Sequence, residues 1–432
     1  MSSIIKVNTV QDADGNNIIN ESGDVITVGA SGDTVTVAGN VVKSNALQAS
    51  DAGNIVSQSG TTITVGASGD TVALASGASQ TGFGSNPFKN IIINGDMSIA
   101  QRGTSASSQT TSAYLLDRWK YGIASQGTWT MSQSTDVPTG QGFANSFKAD
   151  CTTADASPAA SDKVNFQTRF EGQNLQYLKK GTSNAESLTA SFWVKSNKTG
   201  TYICELQELD NDRAISNSYT ISSANTWEKK TITFPGDTTG GTIDNDNARS
   251  LDIIWYLGSG SDLTSGTLQT SWGAKVNANR AVGQVNLADS TSNEWYITGA
   301  QLEAGTSASD FEFLPVDVNL RRCKRYFQTI SRPTHGGNTV LTGVNSSANN
   351  IAMVQLPVEM RAGPSISQTG TNITLYSPDG SSNASASNPT LSTGSFGTNG
   401  GRFLWGRTGN IYAGFWVDLD NDDSYYNFTS EI

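Results

Sequence analysis

From residue 90 onward the chain alternates short apolar and aromatic runs with clusters of Gly, Ser, Asn and Asp. The clearest runs are Lys163–Phe170 (KVNFQTRF), Leu188–Lys195 (LTASFWVK), Tyr202–Leu206 (YICEL), Trp227–Phe234 (WEKKTITF), Ser250–Tyr256 (SLDIIWY) and Glu294–Thr298 (EWYIT). Short runs of β-branched and aromatic residues bounded by turn formers read as strands. Ile91-Ile92-Ile93, Trp119-Lys120-Tyr121 and Thr128-Trp129-Thr130-Met131 are read the same way. So many short strands predict a sandwich or jelly roll, with Trp193, Trp227, Trp255 and Trp295 in its core. Helical spacing stands out in one place, where Leu320, Cys323 and Phe327 fall at i, i+3 and i+7 behind Asp317 as N-cap. This predicts a short amphipathic helix with a basic outer face, formed by Arg321, Arg322, Lys324 and Arg325.

The pattern before residue 90 differs. Residues 26–35 read ITVGASGDTV and residues 63–72 repeat the same letters, an offset of 63 − 26 = 37. Each copy joins a short alternating run to a Gly-Ala-Ser-Gly-Asp turn and a second run such as Thr34–Val37. A thin ribbon of this kind cannot bury a core by itself, and repeat architectures usually need three or more stacked copies. Partners from other chains are therefore expected, most simply in a parallel homotrimer with interleaved strands. The expected organisation is all-β: an N-terminal repeat ribbon at 1–75, a Gly/Ser-rich linker at 76–89, a central jelly-roll-like sandwich at 90–316, a linking helix at 317–330 and a smaller β domain at 331–432.

Composition narrows the function. With 27 Lys+Arg against 38 Asp+Glu, the formal net charge of −11 provides no global positive field for phosphate backbones, so a general nucleic-acid binder is excluded. A single histidine, His335, excludes multi-His metal sites; between Pro333-Thr334 and Gly336-Gly337 it reads as a loop residue. Cys151, Cys204 and Cys323 are odd in number and scattered, so they are expected as buried free thiols. The start, MSSIIKVN, lacks a basic segment followed by an apolar one, and no stretch reaches the ~20 apolar residues of a membrane span. A chain made in a cytoplasm without leader processing or membrane insertion is the expectation.

Several segments carry a resemblance. Asn90–Thr104 (NIIINGDMSIAQRGT) resembles the start of a β-sandwich domain of bacteriophage tail-fibre and other virion-fibre proteins. Trp295–Gly305 (WYITGAQLEAG), then Phe311-Glu312 and Cys323–Phe327 (CKRYF), resemble its end. Ile5–Gln11 (IKVNTVQ) is similar to fibre N-termini in viruses of marine bacteria, and Leu356–Pro364 (LPVEMRAGP) resembles a strand-turn signature of terminal fibre domains. The resemblance implies a homotrimer held to a phage tail or capsid protein by its N-terminal region, located in the virion, recognising a host cell-surface glycan or protein at its distal end. Its motifs are structural, and none is a known binding site.

Sugars are commonly held by an aromatic face flanked by polar groups. Trp405, Tyr412, Trp416, Tyr425 and Tyr426, in a Gly/Asp-rich stretch, are the candidate receptor contacts. Asp418, Asp420 and Asp422 alternate like the first half of an EF-hand loop, although the sixth-position Gly and twelfth-position Glu are replaced by Asp423 and Thr429. Calcium is thus a weak candidate beside a solvated acidic turn, and no cofactor is otherwise expected. No spacing singles out a catalytic carboxylate pair. The expected function is adhesion without catalysis; the alternatives are a glycan-cleaving spike and a structural connector.

Overall fold

The computed structural model describes residues 9–11, 17–22, 25–28, 88–331, 339–345, 349–369, 373–376, 382–386, 396–406, 415–419 and 425–432. The chain divides into two compact units, Met1–Gln80 and Thr81–Ile432.

In the first unit, β1 (Thr9–Gln11), β2 (Asn17–Ser22) and β3 (Val25–Val28) form an antiparallel sheet in that order, with Ser22 opposite Val25. The first repeat copy begins inside β3, which pairs back onto β2. Its second run and the whole second copy lie outside the described residues.

The second unit opens with an all-antiparallel sandwich. Its strands are β4 (Ser105–Tyr114), β5 (Lys120–Ser134), β6 (Ser146–Thr153), β7 (Lys163–Glu171), β8 (Leu188–Ser196), β9 (Gly200–Glu208), β10 (Arg213–Ile221), β11 (Glu228–Phe234), β12 (Arg249–Ser259), β13 (Gly273–Ala274) and β14 (Glu294–Ala304). The pairing order is β11-β8-β14-β6-β5-β7-β12-β9-β10-β13, with β4 also on β5. The long strand β5 makes this one sheet into two layers. Thr128–Ser134 pair with β6, and Lys120–Ser125 pair with β7. Between them Ser125 and Gly127 take left-handed φ values of 55° and 71°, the kind of irregularity that lets a strand switch layers. The layers meet through aromatic rings: Phe147 of β6 stacks on Phe166 of β7 at 3.9 Å, and Phe192 of β8 meets Trp255 of β12 edge-on at 5.5 Å.

Strand alternation revises two of the tryptophans. Trp255 and Trp295 are fully buried, as their strands predict, but Trp193 and Trp227 are half-buried. Phe192 and Val194 take the inward positions of β8, so period-two geometry sends Trp193 outward. Ile91-Ile92-Ile93 form no strand, with bends at Ile92 and Ile93. Here the Asn90 side chain replaces ladder bonds: its Oδ1 accepts from the N–H groups of Ile92 and Leu302, both at 3.0 Å, and its Nδ2 donates to the Ala300 carbonyl. All three cysteines are buried and free.

After a single turn, α1 (Ser261–Thr264), the main helix α2 spans Val316–Lys324. Pro315, not Asp317, is its N-cap, and no side chain caps it; Asp317 lies in the first turn, where its charge suits the helix dipole. Phe327 has left the helix and opens β15 (Phe327–Ser331). There follow β16 (Thr339–Asn345), β17 (Asn349–Gln355), β18 (Ser365–Thr369), β19 (Ile373–Tyr376), β20 (Ser382–Ala386), β21 (Phe396–Gly397), β22 (Gly400–Gly406), β23 (Phe415–Leu419) and β24 (Tyr425–Thr429). They form two sheets, β15-β24-β18 and β20-β19-β23-β16-β17-β22-β21. A second, smaller core lies here, including Leu341, Val354, Met360, Phe403, Tyr426 and Phe428. Glu431, beyond β24, returns to the sandwich and pairs with Arg118 and Arg102. The two cores therefore belong to one unit.

Candidate functional site

A pocket of about 290 Å³ opens where the segment entering the sandwich, the end of β7 and the last turn of α2 converge. Each wall has a local cause. Beyond β7 the chain enters two short 3₁₀ turns, Gly172–Asn174 and Gln176–Leu178, which bring Asn174 and Tyr177 to one rim. Residues three apart share a helix face, so Arg322 and Arg325 reach the pocket together. Phe88, at φ 64°, forms another part of the rim; its N–H donates to one oxygen of Glu312, and the Asn90 N–H donates to the other at 2.9 Å. Phe88 and Tyr177 are 59% and 49% exposed, unusual for large rings beside a cavity in a well-packed sandwich.

The floor is charged but largely paired. Glu171, fully buried, accepts from Arg325 Nε and Nη2 at 2.8 and 2.7 Å, from Gln173 Nε2 at 2.7 Å and from the Tyr326 hydroxyl. Burial opposes its charge, but the bonds from Arg325 and Tyr326 outweigh that and hold the carboxyl below its ordinary range. Arg118 adopts a left-handed φ of 69°, a strained backbone for a non-glycine residue. This places its guanidinium against Glu431, the Arg169 carbonyl and the face of Tyr326, 3.5 Å from the ring centroid. Burial depresses Arg118, but Glu431 together with Tyr326 and Tyr114 outweighs it, so the guanidinium lies above its ordinary value.

Arg322 differs from its neighbours. It makes one long bond, Nη2 to the Asn90 carbonyl at 3.4 Å, and its Cζ lies 5.8 Å from the Phe88 centroid. Among the described residues no carboxylate comes within ion-pair distance of it. Burial pulls its guanidinium below the ordinary arginine value, with the more distant Glu312 opposing.

Asp117, next to Arg118, yields a pH-dependent prediction. It is fully buried and accepts from Gln101 N and Nε2 at 2.7 and 2.6 Å, yet burial pushes its carboxyl up to about 6, against the pull of Arg102 and Gln101. A carboxyl raised from 3.8 in the unfolded chain binds more protons when folded, so its contribution is fullest below the unfolded value and is lost as pH rises through the folded one. The wild type is expected to lose about 2 kcal/mol relative to Asp117→Asn between pH 4 and 7. Urea midpoints of both proteins across that range check it; parallel curves would contradict the raised value.

The residues expected from sequence lie elsewhere. Tyr426 is fully buried, its ring 4.6 Å from Phe403, so it serves the smaller core rather than a receptor face. Tyr425, at the start of β24, is half-buried. Trp405 lies in β22 opposite Asn350, while Trp416 and Asp418 lie in β23 opposite Thr342 and Thr339; their side chains are outside the description. Tyr412, His335, Asp420 and Asp422 lie outside the described residues. The signals for the pocket were single aromatics in polar segments, Phe88 and Tyr177, and the RRCKR cluster, whose Arg322 and Arg325 turn into the pocket instead of forming an outer face.

A second aromatic cluster lies where Trp227, just before β11, meets the buried Tyr296 of β14. Trp227 meets Tyr296 edge-on at 6.1 Å and donates its Nε1–H to Asp136 at 2.9 Å. Lys195 Nζ, paired with Asp136, sits 4.4 Å from the Tyr296 centroid, and Lys148 Nζ sits 5.5 Å from it. These lysines occupy ring faces that a sugar would need, which leaves the pocket as the better site.

No family model and no curated protein matches this chain. Solved structures give distant matches. The enzymatically active domain of bacteriophage CBA120 tailspike protein 4 is 16% identical at a TM-score of 0.27, covering 51% of this chain and 22% of its own. A family 11 carbohydrate-binding module from Clostridium thermocellum, solved with a β-1,3-1,4-mixed-linked tetrasaccharide, is 12% identical at 0.22, covering 48% and 98%. A xylan-binding domain from Paenibacillus barcinonensis is 9% identical at 0.21, covering 47% and 94%. At these scores the likenesses are too remote to identify a site, and the pocket stands on its own geometry.

Proposed function

We propose that the protein is a virion-fibre adhesin of a bacteriophage that holds a sugar unit of the host surface in the pocket between Phe88, Tyr177 and α2. The observation that carries this reading is two exposed aromatic rings beside a concave site that also offers the Asn174 amide and the Arg322 guanidinium. Aromatic faces take the C–H face of a pyranose, while amides and guanidinium groups take its oxygens. At about 290 Å³ the cavity lies at the lower end of the roughly 300–1,000 Å³ usual for small-molecule sites, which suits one ring rather than an extended chain.

Binding is favoured over cleavage by the state of Glu171, the carboxylate in the pocket lining. Glycoside hydrolysis generally uses two carboxylates, one of them free to deliver a proton. Glu171 is instead clamped by Arg325 and Tyr326 with its acidity increased. Trimerisation through the N-terminal ribbon complements this picture, because three pockets on one tethered particle turn weak contacts into useful avidity.

The test is retention of the full-length protein on host cells and on a glycan array, with light scattering on the same preparation. Phe88→Ala and Tyr177→Ala are each expected to weaken glycan binding about 5- to 20-fold, equivalent to about 1–2 kcal/mol, with unfolding midpoints nearly unchanged because both rings are exposed. Wild-type retention in both variants would remove the pocket from the reading. A monodisperse monomer would remove the trimer.

A further inference from the structure

Resting on that reading, we infer that the sugar unit taken by the pocket is acidic, its carboxylate docking on Arg322. The chain carries a formal charge of −11, yet four arginines, Arg118, Arg169, Arg322 and Arg325, line one small cavity with a single carboxylate, Glu171. The pairing within the lining shows which cation remains for a ligand. Arg325 is committed to Glu171 through two bonds, and Arg118 is committed to Glu431. Arg169 gives Nη1 to the Ile432 carbonyl oxygen at 2.5 Å, and its Nε is 4.0 Å from Asp252. Arg322 has only the 3.4 Å bond to the Asn90 carbonyl, and no carboxylate of the described residues lies within ion-pair distance.

Two further observations point the same way. The buried Nε atoms of Arg118 and Arg169 have no hydrogen-bond partner among the described residues, so the positive lining is not fully answered by them. Glu312, the carboxylate that faces Arg322 from the other side, spends both oxygens on the backbone N–H groups of Phe88 and Asn90. It holds the rim in place and makes no direct ion pair with the guanidinium, so the Arg322 fork stays open to a ligand carboxylate. A planar guanidinium offers two parallel donors to a carboxylate, a geometry that neither a hydroxyl nor a neutral amide reproduces. With the Phe88 and Tyr177 rings at the rim, the pocket combines a seat for the sugar's C–H face and a fork for its acid group. That combination fits a uronic or similar carboxylated sugar better than a neutral one.

The test uses the full-length protein on an array that pairs each carboxylated glycan with its carboxyl-reduced neutral form. Acidic members are expected to bind about tenfold or more tightly than their reduced partners, as one charge-assisted contact implies. Arg322→Gln is expected to abolish that preference, so that acidic members and their reduced partners bind alike, and Arg322→Lys to keep part of it. Because Arg322 makes one long intramolecular bond, both variants are expected to unfold at the wild-type midpoint, which separates lost recognition from lost structure. Equal binding of acidic and neutral partners, or a preference that survives Arg322→Gln in a folded protein, overturns the inference and leaves the glycan reading standing. Preference for sulfated or phosphorylated members over carboxylated ones overturns the carboxylate assignment. Retention on cells with no glycan bound from the array overturns both readings together.

Discussion

Replacing Glu171 with alanine is expected to lower the unfolding free energy by about 3–5 kcal/mol, the usual consequence of removing one partner from a buried ion pair. The side chain is fully buried and joins two parts of the second unit: it belongs to β7, while Arg325 and Tyr326 belong to the segment between α2 and β15. Alanine leaves the half-buried Arg325 guanidinium and the buried Tyr326 hydroxyl without their acceptor, and nothing in the pocket lining replaces it. Glu171→Gln keeps the shape and one acceptor, so a smaller loss of about 2 kcal/mol is expected. The pH dependence carries a definite sign. A carboxyl held below its ordinary value contributes fully above the unfolded value and loses that contribution as acid protonates it. Chemical denaturation of the three proteins at pH 7 and at pH 3 tests both statements, because the gap between wild type and Glu171→Gln should narrow at the lower pH. A gap that widens in acid, or an alanine variant within 1 kcal/mol of wild type, would show that the pair is not structural.

The sequence and the structure agree where periodicity is strong and part where side chains take over the work of the backbone. Lys163–Phe170, Leu188–Lys195 and Ser250–Tyr256 are legible as strands because short runs rich in β-branched and aromatic residues are bounded by turn formers, and all three lie within observed strands. β4 (SASSQTTSAY) went unread because it is polar on both faces and largely exposed. Ile91-Ile92-Ile93 misled for the opposite reason: an apolar triplet looks like a strand, but Asn90 supplies the bonds that a ladder would have made. The pocket was the least legible feature. Its members are spread from Phe88 to Tyr326, and only the fold brings them together. The basic run RRCKR was visible, but whether it faced solvent depended on where the helix stopped. That point was set by the chain turning at Tyr326 into β15, which carries Phe327 into the sheet.

Trp119→Ala is expected to cost about 3–5 kcal/mol and to weaken the pocket at the same time. The ring is almost wholly buried, stacks on Phe166 at 4.6 Å with an interplanar angle of 5°, and lies 5.8 Å from Trp255. It therefore packs against aromatic side chains of β7 and β12. Its Nε1–H also donates to the Asn94 carbonyl at 2.8 Å. Asn94, at φ 60°, ties its own loop by accepting from the Ile99 N–H and donating to the carbonyls of Ile99 and Asp117. The indole thus holds the segment that carries Asn90, Ile91 and Ile93 to the pocket wall, and it directly follows Arg118 with its left-handed backbone. Trp119→Phe separates the two roles. It keeps most of the stack and loses the hydrogen bond, so a cost of about 1–2 kcal/mol is expected, along with a larger fractional loss of glycan binding than of stability. Denaturation midpoints and glycan affinities of both variants check this. A phenylalanine variant that binds like wild type would mean that packing alone positions the wall and that the Asn94 bond is incidental.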